Sequence, residues 1–196
     1  MKTRPYHHGD LRAALLTRAE QTLREKGPAE LSLRELARET GVSPAAPSRH
    51  FRSKQALLDA LALEGFDRLT TAMVEAHDRA GESFADQFAG LTRTYVSFAT
   101  ANAALLELMY ARKHEAGAPD DLIASMHRLA DLAMSLITAG QQRGEIREGP
   151  VERLAVPLFA MLQGLTALIL SGALQPDQVE ESLDETIALL LRGYAP

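Results

Sequence analysis

The chain has no cysteine and no tryptophan among its 196 residues. Without cysteine there is no disulfide framework and no thiolate metal site, and a reducing cytoplasm fits. Aromatic residues make up only 5%. That scarcity, with abundant Ala, Leu, Glu and Arg, favours helix over sheet. The opening stretch, MKTRPYHHGDLRAALL, has no apolar core ahead of its polar residues, so no secretory signal is expected. Also missing are strand-like alternation, internal repeats and the short signatures of enzymes. There is no Gly-x-Ser-x-Gly elbow, no phosphate loop, no His-Glu-x-x-His and no close carboxylate pair in an apolar setting. His114-Glu115 and Asp120-Asp121 lie around a loop and read as solvated. No enzyme is expected. His7 and His8 are adjacent, so on a helix they point about 100° apart. No third ligand is near, and neither metal nor cofactor is expected.

What is present is charge of unequal sign along the chain. The net charge is −5. Residues 1–54 hold eleven Lys and Arg against six Asp and Glu, a net +5, and the remainder carries −10. This asymmetry points to a basic binding module on an acidic body. Apolar periodicity predicts an all-α chain of about nine helices. The first runs from a cap at Asp10 to Gly27, with Leu11, Leu15, Leu16, Ala19 and Leu23 on one face. A capping box at Ser32–Glu35 opens a short second helix, ended by Gly41. The third is opened by Ser43-Pro44. Ser53 caps a fourth, from 54 to about 80, and Ser83 a fifth, to about 101. Further helices are expected at 103–114, 120–143, 150–173 and 176–192.

Residues 154–176 carry no charge, and their length would span a bilayer. Gln163, Gln175 and Pro157 interrupt the run, and the flanks give no positive-inside signal. A buried helix, partly in a subunit interface, is the expectation, and no membrane partner.

The specific signal is Leu33-x-x-Leu36-Ala37-x-x-x-Gly41-Val42. Leu36 and Val42 fill the angle between two short helices. Ala37 allows their approach, and Gly41 supplies a left-handed turn residue. Such a turn presents its second helix to the major groove. That second helix carries an obstacle, Pro47, in VSPAAPSRHF. Proline there forfeits a backbone bond and crowds the preceding turn. It also pushes Ala46 away from helical angles. A distorted or 3₁₀-like start, held by Val42 and Phe51, is expected.

The stretch LSLRELARETGVSPAAPSRHFRSKQALLDAL, with YHHGDLRAALL before it, closely resembles the tetracycline-repressor (TetR) family of bacterial transcriptional regulators. The resemblance implies a homodimer with an N-terminal helix-turn-helix domain, residues 1–54. Residues 55–196 would be a helical ligand-binding and dimerisation domain. Pairing through helices 150–173 and 176–192 is expected. By family position, Pro44, Ala45, Ala46 and Arg49 meet base edges, and Arg34 reaches a base or phosphate. Ser48, His50 and Lys54 match phosphate-contacting positions. The chemistry agrees, since Arg pairs bidentately with guanine and alanine methyls touch thymine methyls. Ser48 departs from the family's usual tyrosine, so a shorter reach to that phosphate is expected. The body resembles a branch marked by Trp-His-Gly in the eighth helix, where this chain reads Leu162-Gln163-Gly164.

The resemblance also implies a small-molecule effector in the body. Candidate linings are Phe88, Tyr95, Phe98, Met109, Tyr110, His127, Phe159 and Gln163, although an aromatic stripe at helical spacing is also ordinary core. His127 and Gln163 lie in apolar segments, where a buried polar group needs a partner. An apolar or weakly polar ligand follows. The expectation is a cytoplasmic repressor released from a palindromic operator by that ligand. The alternative is a DNA-binding regulator controlled by concentration or a protein partner.

Overall fold

The computed structural model describes residues 8–196 apart from 114 and 116, and for 8–10 and 176 only the backbone. The described residues form eight α-helices, three short 3₁₀ turns and no strand. The helices are α1 (His8–Lys26), α2 (Leu33–Glu39), α3 (Lys54–Arg79), α4 (Phe84–Ala101), α5 (Ala103–Lys113), α6 (Asp120–Gln142), α7 (Val151–Leu170) and α8 (Val179–Tyr194). The 3₁₀ turns are Pro28–Glu30, Pro47–Arg49 and Pro176–Gln178. The all-α expectation holds. The ninth expected helix, after Pro44, is a run of turns and 3₁₀ structure. The chain divides into two compact units.

The first unit comprises Met1–Phe66 and Asn102–Ala124. Leu11, Leu15, Leu16, Ala19 and Leu23 of α1 are all buried, as their spacing dictates. They share this unit with buried Leu36 and Ala37 of α2, Phe51, and Leu57 and Leu61 of α3. Arg18 of α1 holds Glu39 of α2 at 2.6 Å. This bond keeps the Glu39 carboxyl below its ordinary range. Helix α5 packs on α1. It contributes Arg112, only 4% exposed, whose guanidinium bonds Asp59 of α3 at 2.7 Å and also pairs with Glu115.

The helix starts are partly as expected. The Ser53 hydroxyl accepts the Ala56 N–H at 3.1 Å and so caps α3. The expected capping box at Ser32 does not form. Glu35, its intended partner, instead accepts a bond from Arg38 at 2.8 Å. Asp10 lies inside α1, two residues past its start.

The second unit comprises Asp67–Ala101 and Ser125–Pro196. Phe84, Phe88, Leu91 and Tyr95 form the buried face of α4. Ser83 accepts the Asp86 N–H at 3.1 Å, and the Glu145 carboxylate accepts the Phe84 N–H at 2.6 Å, so the start of α4 is doubly satisfied. Gly140 lets the Phe84 ring approach, because a Cβ there would stand 2.8 Å from it. The Tyr194 ring packs edge-on against Phe84 and Phe88, at 5.8 and 5.9 Å between centroids. Its hydroxyl donates to the Leu154 carbonyl at 2.8 Å.

Helix α7 continues through Pro157. Both α6 and α7 are long and apolar enough to cross a membrane by length and composition. The expected burial of the uncharged segment applies to one face only. Leu154, Leu158, Leu162 and Leu165 face inward, while Val156, Phe159, Leu168 and Leu170 are exposed.

Candidate nucleic-acid interface

The turn after α2 is built by Gly41, at φ +70°. Its N–H bonds the Arg38 carbonyl at 3.3 Å, and the Val42 N–H bonds the Ala37 carbonyl at 3.0 Å. These two bonds with a left-handed glycine constitute a Schellman motif, which satisfies the last carbonyls of α2 while reversing the chain. The glycine expected from sequence is therefore required by the backbone itself.

The segment that follows is governed by Pro47. Ala46 bonds Ser43 at 2.9 Å, Arg49 bonds Ala46 at 3.2 Å and His50 bonds Pro47 at 2.9 Å, each three residues back. Proline supplies no N–H, so a regular α-helical ladder through this position is one bond short. The 3₁₀ turn instead begins at Pro47, the first-turn position where an N–H has no partner within the turn, which meets the expectation of a 3₁₀-like form. One detail differs. Ala46 keeps helical angles, φ −66° and ψ −44°. The pre-proline preference against this region is outweighed here by burial of the Pro47 ring in the core that also holds Phe51.

A 3₁₀ turn aligns residues three apart. Pro44, Ala45, Ser48 and Arg49 are exposed, while Ala46 and His50 are half-buried. Arg34 is exposed on α2 and lines an open concavity of about 540 Å³ with Ser32, Glu35, Arg38, Val42 and Pro44. Arg34 and Pro44 are thus brought to one surface. Arg34, Arg49 and Arg52 make no ion pair among the described residues, so their charges are available to an anion. Lys54 has a partner already: its ammonium donates to the Ala29 carbonyl at 2.6 Å. His50 packs beside Phe51, with ring centroids 6.4 Å apart, and Arg12 sits over that Phe51 ring at 5.6 Å.

The effector candidates scatter. Phe88 and Tyr95 are buried on α4, and Phe98 is half-buried with the Arg68 guanidinium 5.9 Å from its ring. Met109 and Tyr110 belong to the first unit, on α5. There the Lys113 ammonium stands 4.1 Å from the Tyr110 ring centroid, and burial holds its pKa below the usual lysine range. His127, Phe159 and Gln163 are exposed. His127 and Gln163 are therefore not buried polar groups in need of a partner, because each of these apolar segments has an outward face. Thr92 and Thr166, both buried with unpartnered hydroxyls, are not among the linings expected from sequence. Their signal was a hydroxyl in an inward register, one turn beyond Phe88 for Thr92. His7, the His8 side chain and His114 lie outside the described residues.

Two family models match the chain: bacterial regulatory proteins of the tetR family over residues 15–61, and the tetracyclin repressor-like C-terminal domain over residues 88–190. The chain belongs to the tetR family of bacterial regulatory proteins. A solved structure of a protein with unknown function from Rhodococcus sp. RHA1 is similar at 45% identity and TM-score 0.93. It covers 99% of this chain and 100% of that one. A putative tetR family transcription regulator from Shewanella sp. PV-4 is similar at 21% identity and TM-score 0.74, covering 95% and 98%. The regulator FadR from Bacillus subtilis, solved in complex with stearoyl-CoA, shares the fold at 17% identity and TM-score 0.78, covering 93% and 98%. No curated protein matches the chain. As a tetR-family member the protein is a DNA-binding transcription regulator and not an enzyme.

Proposed function

We propose that this regulator is a cytoplasmic repressor that binds a palindromic operator as a homodimer and leaves it when a small, mostly apolar molecule binds. The observation that carries the reading is the exposed edge Pro44, Ala45, Ser48 and Arg49 beside exposed Arg34. In this reading residues 1–54 form the DNA-binding domain. Arg49 reads guanine edges, the Pro44 and Ala45 surfaces meet thymine methyls, and Arg34 contacts a base or phosphate. Ala46 contributes less, being half-buried. Ser48, His50 and Lys54 meet phosphates and fix register. Lys54 keeps two further N–H donors for that task beside its bond to Ala29.

Residues 55–196 carry the effector site and the dimer contact. Helices 150–173 and 176–192 pair with their symmetry mates. Five of the six exposed large hydrophobics among the described residues, Val156, Phe159, Leu168, Leu170 and Leu189, lie on α7 and α8, which supports that assignment. Ala160, Gly164 and Ala167 are exposed on the same helix and would let a partner helix approach closely.

The mechanism is a population shift. Two heads must stand about 34–36 Å apart to enter successive major grooves. An effector that favours another spacing lowers operator affinity by its differential affinity for the two states, about 1–3 kcal/mol of coupling. Selection of bound sequences from random DNA tests the reading. A palindrome with half-sites about ten base pairs apart is expected. Recovery of unpaired single half-sites would overturn it.

A further inference from the structure

Most threonines in these helices hide their hydroxyl by donating it to their own backbone one turn back. On α4, Thr94 donates to Gly90 at 2.9 Å and Thr100 to Val96 at 2.9 Å. Thr92, on the same helix and only 1% exposed, makes no such bond. Nor does Thr166 of α7, 4% exposed. Its hydroxyl also has no partner. An unmade hydrogen bond in the interior is a standing cost to the fold, and such groups are rare unless something else uses them.

The distribution adds to this. All five buried, unpartnered side-chain atoms among the described residues lie in the second unit: those of Thr92 and Thr166, with Thr70 Oγ1, His77 Nδ1 and Gln87 Oε1. Helices α4 and α7 pack along one another there. Tyr194 touches Phe84 and Phe88 and bonds Leu154, so the two helices start at a common level. Thr92 lies one to two turns beyond that level and Thr166 about three turns beyond, so the two residues are offset by on the order of 10 Å along the helix axes. Their neighbours on the two helices, Leu91 and Tyr95 on α4 and Leu162 and Leu165 on α7, are buried as well. Met73 is buried and Met126, Met134 and Met161 are half-buried in this unit, and methionine yields readily to an incoming shape. Among the described residues, the polar side chains of this unit that are buried as a whole are Thr92, Thr166 and Ser125, and Ser125 is already bonded to Asp67 at 2.5 Å. None is charged. An ionised ligand would find no counter-charge on these three residues, and burying its charge unpaired is costly.

We propose that Thr92 and Thr166 are the polar contacts of the effector site, and that the effector is a neutral, elongated, mostly apolar molecule with two oxygen functions about 10 Å apart along its length. This rests on the ligand-responsive reading above and assigns its ligand class.

The test uses the straight-chain eight-carbon diol with a hydroxyl at each end, against the dicarboxylate of the same carbon number. The diol should raise the unfolding temperature of the full-length protein, and the dicarboxylate should not. Thr92→Val and Thr166→Val should each weaken the diol about fivefold, the worth of one neutral hydrogen bond. Without ligand both variants should unfold at or above the wild-type temperature, because each loses an unpartnered hydroxyl. The assignment is overturned if the diol fails to stabilise the wild type, if the dicarboxylate does so equally, if the double variant binds the diol as well as the wild type, or if the variants unfold earlier. Fluorescence anisotropy of labelled operator separates the two readings. A diol that binds through these threonines but leaves DNA bound refutes release by ligand while the site stands.

Discussion

At the scale of single residues, two neighbours on the 3₁₀ turn carry different duties. Arg49 is exposed and makes no ion pair among the described residues. Arg49→Ala should cost about 1–3 kcal/mol at one base pair and leave binding to operators altered there unchanged. Comparing the operator with its single-base variants checks this; an equal loss on every sequence makes Arg49 a phosphate contact. Ser48 is exposed beside it with a short side chain. Ser48→Tyr should extend reach to the phosphate and tighten operator binding, measured as a lower Kd at fixed salt. These positions were legible in the sequence because the turn chemistry is local: Gly41 must be left-handed and Pro47 lacks a donor. The environments of Phe159 and Gln163 on α7 were not legible. A helix apolar on both faces gives no phase, so its sequence does not say which side the chain itself covers. Thr92 was hidden by the opposite effect, a polar residue whose inward register looks like an ordinary core threonine. Lys54 shows a third limit, since its bond to Ala29 spans 25 residues and leaves no local trace.

At the scale of elements, one cap that local sequence offered gave way to a local ion pair, and another was reinforced by a tertiary bond. The Ser32 box gave way to an Arg38–Glu35 pair, whereas α4 gained a cap from Glu145, sixty-one residues away. Tyr194 acts in the same long-range manner, fastening the end of α8 to the start of α7 and to the Phe84–Phe88 stripe. Tyr194→Phe should lower stability by about 0.5–1.5 kcal/mol at neutral pH, read by denaturant unfolding. Burial raises the pKa of this phenol above its ordinary value. A raised folded-state value means the stabilisation is complete below the unfolded value, about 10, and is lost as pH rises through the folded one. The gap between wild type and Tyr194→Phe should therefore narrow above about pH 10. Arg112 presents the harder case, a guanidinium 4% exposed and paired with Asp59. Arg112→Met leaves that carboxylate poorly compensated and should cost about 3–5 kcal/mol. Arg112→Met with Asp59→Leu should recover most of the loss, because the cost lies in the orphaned charge more than in the pair. A double variant no better than the single one would show that packing, not charge, sets the value.

At the scale of the whole molecule, the exposed apolar face of α7 and the operator chemistry should be linked through dimerisation. Val156, Phe159 and Leu168 stand outward in the single chain, at 62%, 38% and 49% exposure. A glutamate at such positions faces water in a monomer and costs the protomer little. In a paired interface the same charge is desolvated without a partner and is prohibitive. Phe159→Glu with Leu168→Glu should therefore yield a monomer by light scattering whose thermal unfolding still shows a folded chain. Operator binding should then change in a specific way. Each head neutralises its own set of phosphates, and log affinity falls with log salt in proportion to their number, at about −0.9 per phosphate. A monomer engages one half-site, so its slope should be about half that of the wild type, together with a large loss of affinity. A variant that remains dimeric with an unchanged slope would place the contact elsewhere. A monomer that keeps the full slope would mean that one head alone makes every phosphate contact, and the palindrome would lose its physical basis.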